Sequence, residues 1–318
     1  MLRLDRIRAG LLTWFSAHQR DLPWRRTRDP YRILVAEIML QQTQVDRVIP
    51  YYEAWLERFP TVADIAAAPP AEVIKLWAGL GYNRRAINLQ RAAQFITDNL
   101  DGAFPTEIRA LLALPGIGPY TAGAIACFAF EQDVAFLDTN MRRTLHRLFF
   151  GVDVPLRTAS ERELLAIAAQ LVPPGHGWRW NQALIEFGAL QCTARRPACV
   201  VCPLQADCRA FPAIQGAIAQ LPVGASRKSE PPFSGSNRFY RGRVVNVLRD
   251  LEDSATPGID LQSLGPRVRD DFSDADLPWL YEVVQGLARD GLAAVAEERA
   301  SYISGGENDV AQVRVRLP

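Results

Sequence analysis

The sequence predicts a mostly α fold over residues 1–211 and a small α+β region at the C-terminus, on three observations. Apolar residues recur three and four positions apart through the first two-thirds, the period of helices with one buried face. Gly and Pro punctuate these stretches at short intervals, as joints between helices. Alternation of apolar and polar residues, the mark of a half-buried strand, is confined to the end of the chain.

Taken in order, "MLRLDRIRAGLLTWFSAH" alternates Arg with apolar positions at helical spacing, unlike the unbroken apolar core of a signal peptide. "PYRILVAEIMLQQTQVDRVIPYYEAWLERF" predicts two helical stretches broken at Pro50, and "PAEVIKLWAGLGY" another that stops at Gly79 and Gly81. Helices follow in "NRRAINLQRAAQFITDNL", "PTEIRALLALPGIGPYTAGAIACFAF", "TNMRRTLHRLFF", "ERELLAIAAQLV" and "WNQALIEFGALQC". Residues 212–237 are rich in Pro, Gly and Ser and read as a linker. Beyond it, "RFYRGRVVNVLRDL" and "DLPWLYEVVQGLARDGL" read as helices, and "LAAVAEERASYISG" and "AQVRVRLP" as short strands. Helices followed by a terminal hairpin predict a compact, winged-helix-like α+β domain over 238–318.

With 48% hydrophobic and 22% charged residues in 318, the chain can bury two cores and is not a disordered polyelectrolyte. It holds no run of about 18 apolar residues, so no membrane span is expected and the cytoplasm is the expected compartment. A net charge of +1 excludes a polycationic tail as the means of holding nucleic acid. Residues 1–209 carry 24 Lys and Arg against 20 Asp and Glu, and residues 210–318 carry 12 against 15, so any polyanion should meet the first part. The only lysines are Lys75 and Lys228.

Four of the five cysteines, Cys192, Cys199, Cys202 and Cys208, follow the spacing C-x6-C-x2-C-x5-C. In a reducing compartment such a set binds metal more readily than it forms disulfides. Four thiolates can close a zinc site or hold a [4Fe–4S] cubane; zinc usually pairs two short knuckles, so the irregular spacing favours the cubane. Cys127, in "AGAIACFAF", reads as a core thiol. "LPGIGPYTAGA" sets a G-x-G turn before an apolar helix, where freed backbone N–H groups of Gly116 and Gly118 can take a phosphate oxygen without side-chain charge.

The cysteine spacing matches that of the endonuclease III and adenine DNA glycosylase superfamily, and L-P-G-I-G-P-Y-T-A resembles its helix-hairpin-helix. The resemblance covers about residues 3–210 and implies the helix-hairpin-helix glycosylase fold with an iron–sulfur cluster loop. It also implies a base-excision enzyme that breaks an N-glycosidic bond. Such chemistry needs an acid for the leaving group and a negative charge beside the sugar cation. Glu37, among Ile33, Leu34 and Leu40 in "ILVAEIMLQQTQV", is a carboxyl whose burial should raise its pKa toward that of an acid. Asp138 in "LDTNMRR" reads by itself as a helix N-cap; by the resemblance it stabilises the sugar, with Asn140 placing sugar or water. Tyr120 stands where lyase-competent relatives carry a Schiff-base lysine, so the resemblance implies a monofunctional hydrolase.

The QQTQ run after Glu37 is similar to the adenine DNA glycosylase branch. That similarity implies that the adenine is flipped out of the duplex. Arg25 and Gln182 would then contact it, Trp24 line its pocket, and Gln42 and Thr43 face the opposite guanine. Leu80 and Tyr82, at a Gly-bounded loop tip, would fill the gap. Arg142, Arg143, Arg195 and Arg196 are expected on phosphates. The expected partner is double-stranded DNA containing an adenine mispaired with 8-oxoguanine or guanine, bound by a monomer with no membrane. Alternatives are a glycosylase of the same scaffold acting on T or U opposite G, and a non-catalytic, metal-stabilised DNA-binding protein. The family's C-terminal domain reads 8-oxoguanine with a Phe-Ser-His loop; here Phe233-Ser234-Gly235 is the nearest echo, and no histidine follows His176.

Overall fold

The computed structural model describes residues 3–155, 157–221, 233–251, 258–296, 311 and 313–318. Among them lie fifteen α-helices. They are α1 (Arg3–His18), α2 (Pro30–Leu40), α3 (Val45–Arg58), α4 (Val62–Ala67), α5 (Pro70–Leu76), α6 (Arg84–Asn99), α7 (Ile108–Leu112) and α8 (Pro119–Phe128). Then come α9 (Thr139–Phe149), α10 (Glu161–Leu171), α11 (Gly177–Leu190), α12 (Ala213–Ala219), α13 (Asn237–Leu251), α14 (Leu261–Val268) and α15 (Leu277–Asp290). Three strands, β1 (Ile259–Asp260), β2 (Ala294–Ala296) and β3 (Arg314–Arg316), complete them.

Local chemistry sets many of these ends. Thr61 and Ser160 close capping boxes with Asp64 and Glu163, satisfying first-turn N–H groups that would otherwise be unpaired. Gly291 ends α15 in the left-handed conformation, at φ 77°. The expected break at Pro50 falls elsewhere. Pro50 lies inside α3, and the chain turns at 41–44, where Gln42 takes φ 57°. Leu40, Gln41 and Thr43 close that turn with their own backbone and hydroxyl groups, and Pro50, the sixth residue of α3, costs that helix one i→i−4 bond without ending it. Ala213–Ala219 is helical where a linker is expected, because Ile214 is buried. Residues 222–232 of that stretch lie outside the described residues, as do residues 297–305 of the first expected strand.

The chain divides into two units, Met1–Glu37 with Phe104–Ala225, and Ile38–Ala103 with Ser226–Pro318. In the first, α11 packs on α1 and α9 around Leu11, Phe15, Trp180 and Phe187, all at most 1% exposed. Helices α9 and α11 cross closely at Gly188, where any Cβ would lie 2.7 Å from that of Asn140.

In the second unit, α4 packs on α6, and Trp55 meets Trp77 edge to face at 5.5 Å. Helices α13, α14 and α15 surround a second apolar cluster that also takes in Ala71, Ile74 and Ile87. The sheet order is β1-β3-β2, antiparallel throughout, with Val315 opposite both Ile259 and Val295. Helix–strand–helix–helix–strand–strand with that sheet order is the winged-helix arrangement. In this unit α4, β1 and α14 go unannounced by the sequence; the eight residues of α14 hold both Gly265 and Pro266, which argue against a helix.

Candidate active site

Glu37 sits one turn from the end of α2, in the most apolar part of that helix, and is 5% exposed. Burial pushes its carboxyl up to about 7, helped by the nearby charge of Asp138 and opposed by the Tyr120 hydroxyl and Arg25. Tyr120, in the first turn of α8, stands near enough to Glu37 for its hydroxyl to lower the carboxyl's pKa, and its ring meets Phe136 edge to face at 5.5 Å. Burial first, then the two carboxyls, holds the Tyr120 phenol protonated, far above its ordinary value. Glu37 Oε2 is buried and has no hydrogen-bond partner among the described residues. A buried, unpaired carboxyl oxygen is costly, and such exceptions concentrate where a substrate atom will supply the missing partner.

Asp138 caps α9, accepting from Met141 N–H at 2.6 Å and from Asn140 Nδ2 at 3.0 Å. Burial raises its pKa, against the pull of those two donors and of Arg143. Asn140 is fixed in turn by Arg143 Nη2, which donates to its Oδ1 at 2.8 Å. Glu37, Tyr120, Asp138 and Asn140 are therefore one connected group, drawn from α2, α8 and the start of α9. The hairpin before α8 has Gly116 at φ 76° and an uncapped N-terminus at Gly118, where nothing stands within 4 Å of a Cβ position. Its amides are open to an oxyanion.

Arg25 Nε donates to Gln182 Oε1 at 2.8 Å, and Arg25 Nη2 to Glu186 Oε2 at 2.9 Å. Trp24, beside it, is buried. Glu186 is fully buried. Burial alone would raise it, but Arg20 and Arg25 hold it down at about 2, so it stays ionised. Sequence reasoning missed Glu186 and Arg20. The available signal was spacing, since Glu186 follows Gln182 by one turn on the same helix face.

The other unit holds the remaining candidates. Gln42 is exposed at the 41–44 turn, and Thr43 is half-buried. Leu80, expected at an exposed tip, is instead only 6% exposed, while Tyr82 is 46% exposed at φ 48°. The apolar Leu80 turns into the core and leaves the amphipathic tyrosine outside. Arg85, which the sequence placed beside this tip, joins the two loops. Its Nη1 donates to the carbonyls of Ile38, Met39 and Gln41, and its Nη2 to Thr43 Oγ1, Leu80 O and Gly81 O.

Arg143 also departs from expectation. It is 6% exposed and donates to Cys192 O at 2.8 Å and to Gly188 O, which ties it to the protein rather than to a phosphate. The half-buried Arg142 pairs with Glu161. Arg195 and Arg196 are exposed.

Cys192, Cys199, Cys202 and Cys208 line one cavity together with Arg147 and Phe187. Arg147 is 2% exposed and points its Nη1 at Cys192 Sγ, 3.7 Å away. It also binds Thr193 O and Ala194 O, and pairs with buried Asp153 at 2.7 Å. A fixed cation at four anionic sulfurs fits a [4Fe–4S] cluster, which these cysteines hold.

The family model described as "HhH-GPD superfamily base excision DNA repair protein" matches residues 35–170, and "Iron-sulfur binding domain of endonuclease III" matches 192–208. Among solved structures, a thermostable thymine-DNA glycosylase aligns at TM-score 0.61 and 33% identity over 65% of this chain and 95% of its own. A trapped endonuclease III–DNA covalent intermediate aligns at TM-score 0.57 and 27% identity over 66% and 97%. The human adenine DNA glycosylase is 44% identical over 64% of this chain but only 39% of its own length. The adenine DNA glycosylase of Mycolicibacterium smegmatis is 45% identical over 78% of this chain and 80% of its own length. With the hairpin, the cysteine cage and the paired carboxyls in place, the chain belongs to the adenine DNA glycosylase family.

Proposed function

We propose that this chain hydrolyses the N-glycosidic bond of an adenine mispaired in double-stranded DNA, with 8-oxoguanine the preferred opposite base and guanine second. The observation that carries the reading is Glu37: a carboxyl pushed to about 7 by burial, with one oxygen unpartnered, beside a second carboxyl held by helix-start donors.

The steps follow from these groups. Glu37, protonated in its dry site, gives its proton to a ring nitrogen of the extruded purine, so that the base leaves as a neutral molecule. The C1′–N9 bond breaks, and the positive charge left on the sugar is stabilised by ionised Asp138, whose orientation Asn140 and the α9 amides fix. Water then attacks C1′, and its proton returns to Glu37. Arg25 and Gln182, locked on Glu186, present a preset edge to the base. The amides at Gly116 and Gly118, with Arg195 and Arg196, bind phosphates. Tyr82 fills the gap, and Gln42 and Thr43 face the opposite base. When bound, the [4Fe–4S] cluster supplies a cross-link that keeps residues 192–208 in place. The protein acts as a monomer in the cytoplasm, at the nucleoid. No described helix is long and apolar enough to cross a membrane.

The test is base release from duplexes carrying A:8-oxoguanine, A:G, T:G and U:G pairs. The two adenine pairs should be cleaved, and Glu37→Gln should lose on the order of 10²–10⁴-fold. Undiminished activity of that variant, or preference for T:G or U:G, would overturn the reading. With neither lysine in a site motif, borohydride should trap no covalent adduct in good yield.

A further inference from the structure

The loop from Gly79 to Arg85 is held by the C-terminal part of the chain. Arg238 Nη1 donates to the Tyr82 hydroxyl at 3.1 Å, and its guanidinium lies over the Tyr82 ring at 5.5 Å and the Phe233 ring at 4.9 Å. Just beyond Tyr82, Asn83 Oδ1 accepts from Arg249 Nη2 at 3.0 Å, and Arg84 reaches Asp290, 3.6 Å away, which Arg241 also binds. Ile87, at the base of the same segment, shares an apolar cluster with Val244, Leu248 and Leu287.

Tyr82 has unusual needs. It stands at φ 48°, a conformation that a non-glycine residue keeps only when its surroundings impose it, and its ring is 46% exposed. What holds the ring is cationic: Arg85 lies 5.7 Å from its centroid on the loop's own side, and Arg238 adds a second guanidinium and a hydrogen bond. Among the described residues Arg238 has no carboxylate partner, in contrast to Arg241 and Arg243, so its charge is directed to the two rings.

We propose that Arg238, backed by Phe233, is a positioning residue for Tyr82, and that α13 and α15 brace the loop that enters the duplex beside the flipped adenine. Binding then does not have to order that side chain, so more of the contact energy appears as affinity. The role of this C-terminal region is thus to preset the reading loop. The proposal rests on the reading of Tyr82 as the gap-filling residue.

Two measurements on the whole 318-residue chain, loaded with its cluster, decide it. Hydrogen exchange of the DNA-free protein should show faster exchange in residues 79–85 of Arg238→Ala, with α8 and α9 unchanged; no change in 79–85 overturns the brace. Affinity for an A:8-oxoguanine duplex should fall about fivefold to tenfold in Arg238→Ala, and should fall no further when Arg238→Ala is added to Tyr82→Ala. An equal loss in both backgrounds, with the salt slope smaller by about 1, would make Arg238 a phosphate contact and overturn the proposal. Should Tyr82→Ala leave duplex affinity intact, the gap-filling reading fails, and the exchange result still decides the brace.

Discussion

Glu37 is where pH acts on this protein. A pKa of about 7 stands above the ordinary glutamate value of 4.5, so its neutral form is the one the fold accommodates. The favourable contribution is complete below 4.5 and is lost as pH rises through about 7. kcat/KM should therefore fall about tenfold per pH unit on the alkaline side. Thermal denaturation of Glu37→Gln should give a higher Tm than the parent at about pH 8, with the gap closing at about pH 5. Tyr120→Phe removes the hydroxyl that holds Glu37 down, so the alkaline limb should move to higher pH. Asp138→Asn separates capping from chemistry. Asn caps a helix as well as Asp does, so denaturation should shift by less than about 0.5 kcal/mol while single-turnover excision drops by about 10²-fold or more.

At the scale of elements, buried arginines organise the joints. Arg147 fastens α9 to the cysteine loop through Thr193 O and Ala194 O, and neutralises Asp153. Arg147→Ala would leave Asp153 buried without its cation, a loss of about 3–5 kcal/mol in urea unfolding, together with fading of the cluster's visible absorption. Arg85 does similar work between the 41–44 turn and the 79–82 loop. Desolvation lowers its pKa to about 10, which its carbonyl acceptors make tolerable. Residues of this kind were poorly legible in the sequence, where an arginine beside a loop reads as a phosphate contact. Whether its guanidinium turns outward or finds carbonyls depends on segments far away in the chain. Arg143 misled for the same reason, two of its three acceptors lying 45 and 49 residues on.

For the whole molecule, a net charge of +1 limits how the duplex can be held. Backbone amides at the hairpin carry no counterion cost, so replacing both Arg195 and Arg196 with Ala should reduce the magnitude of the salt slope of binding by about 2 and leave a substantial salt-independent affinity. The helical architecture, the hairpin and the cysteine cage were legible because each is written in local spacing: a 3.6-residue period, a G-x-G before a helix, four thiols within one loop. The burial of Glu37 was legible too, since a glutamate flanked by Ile33, Leu34 and Leu40 on one helix carries its own desolvation. The sequence by itself determined which groups could do chemistry and which element bears each. Only the tertiary structure decided that Leu80 turns in and Tyr82 out, that Arg143 serves the fold, that Glu186 locks Arg25, and that α13 and α15 reach the 79–85 loop. Those outcomes are set by which distant acceptor satisfies a buried donor, and no local pattern encodes that pairing.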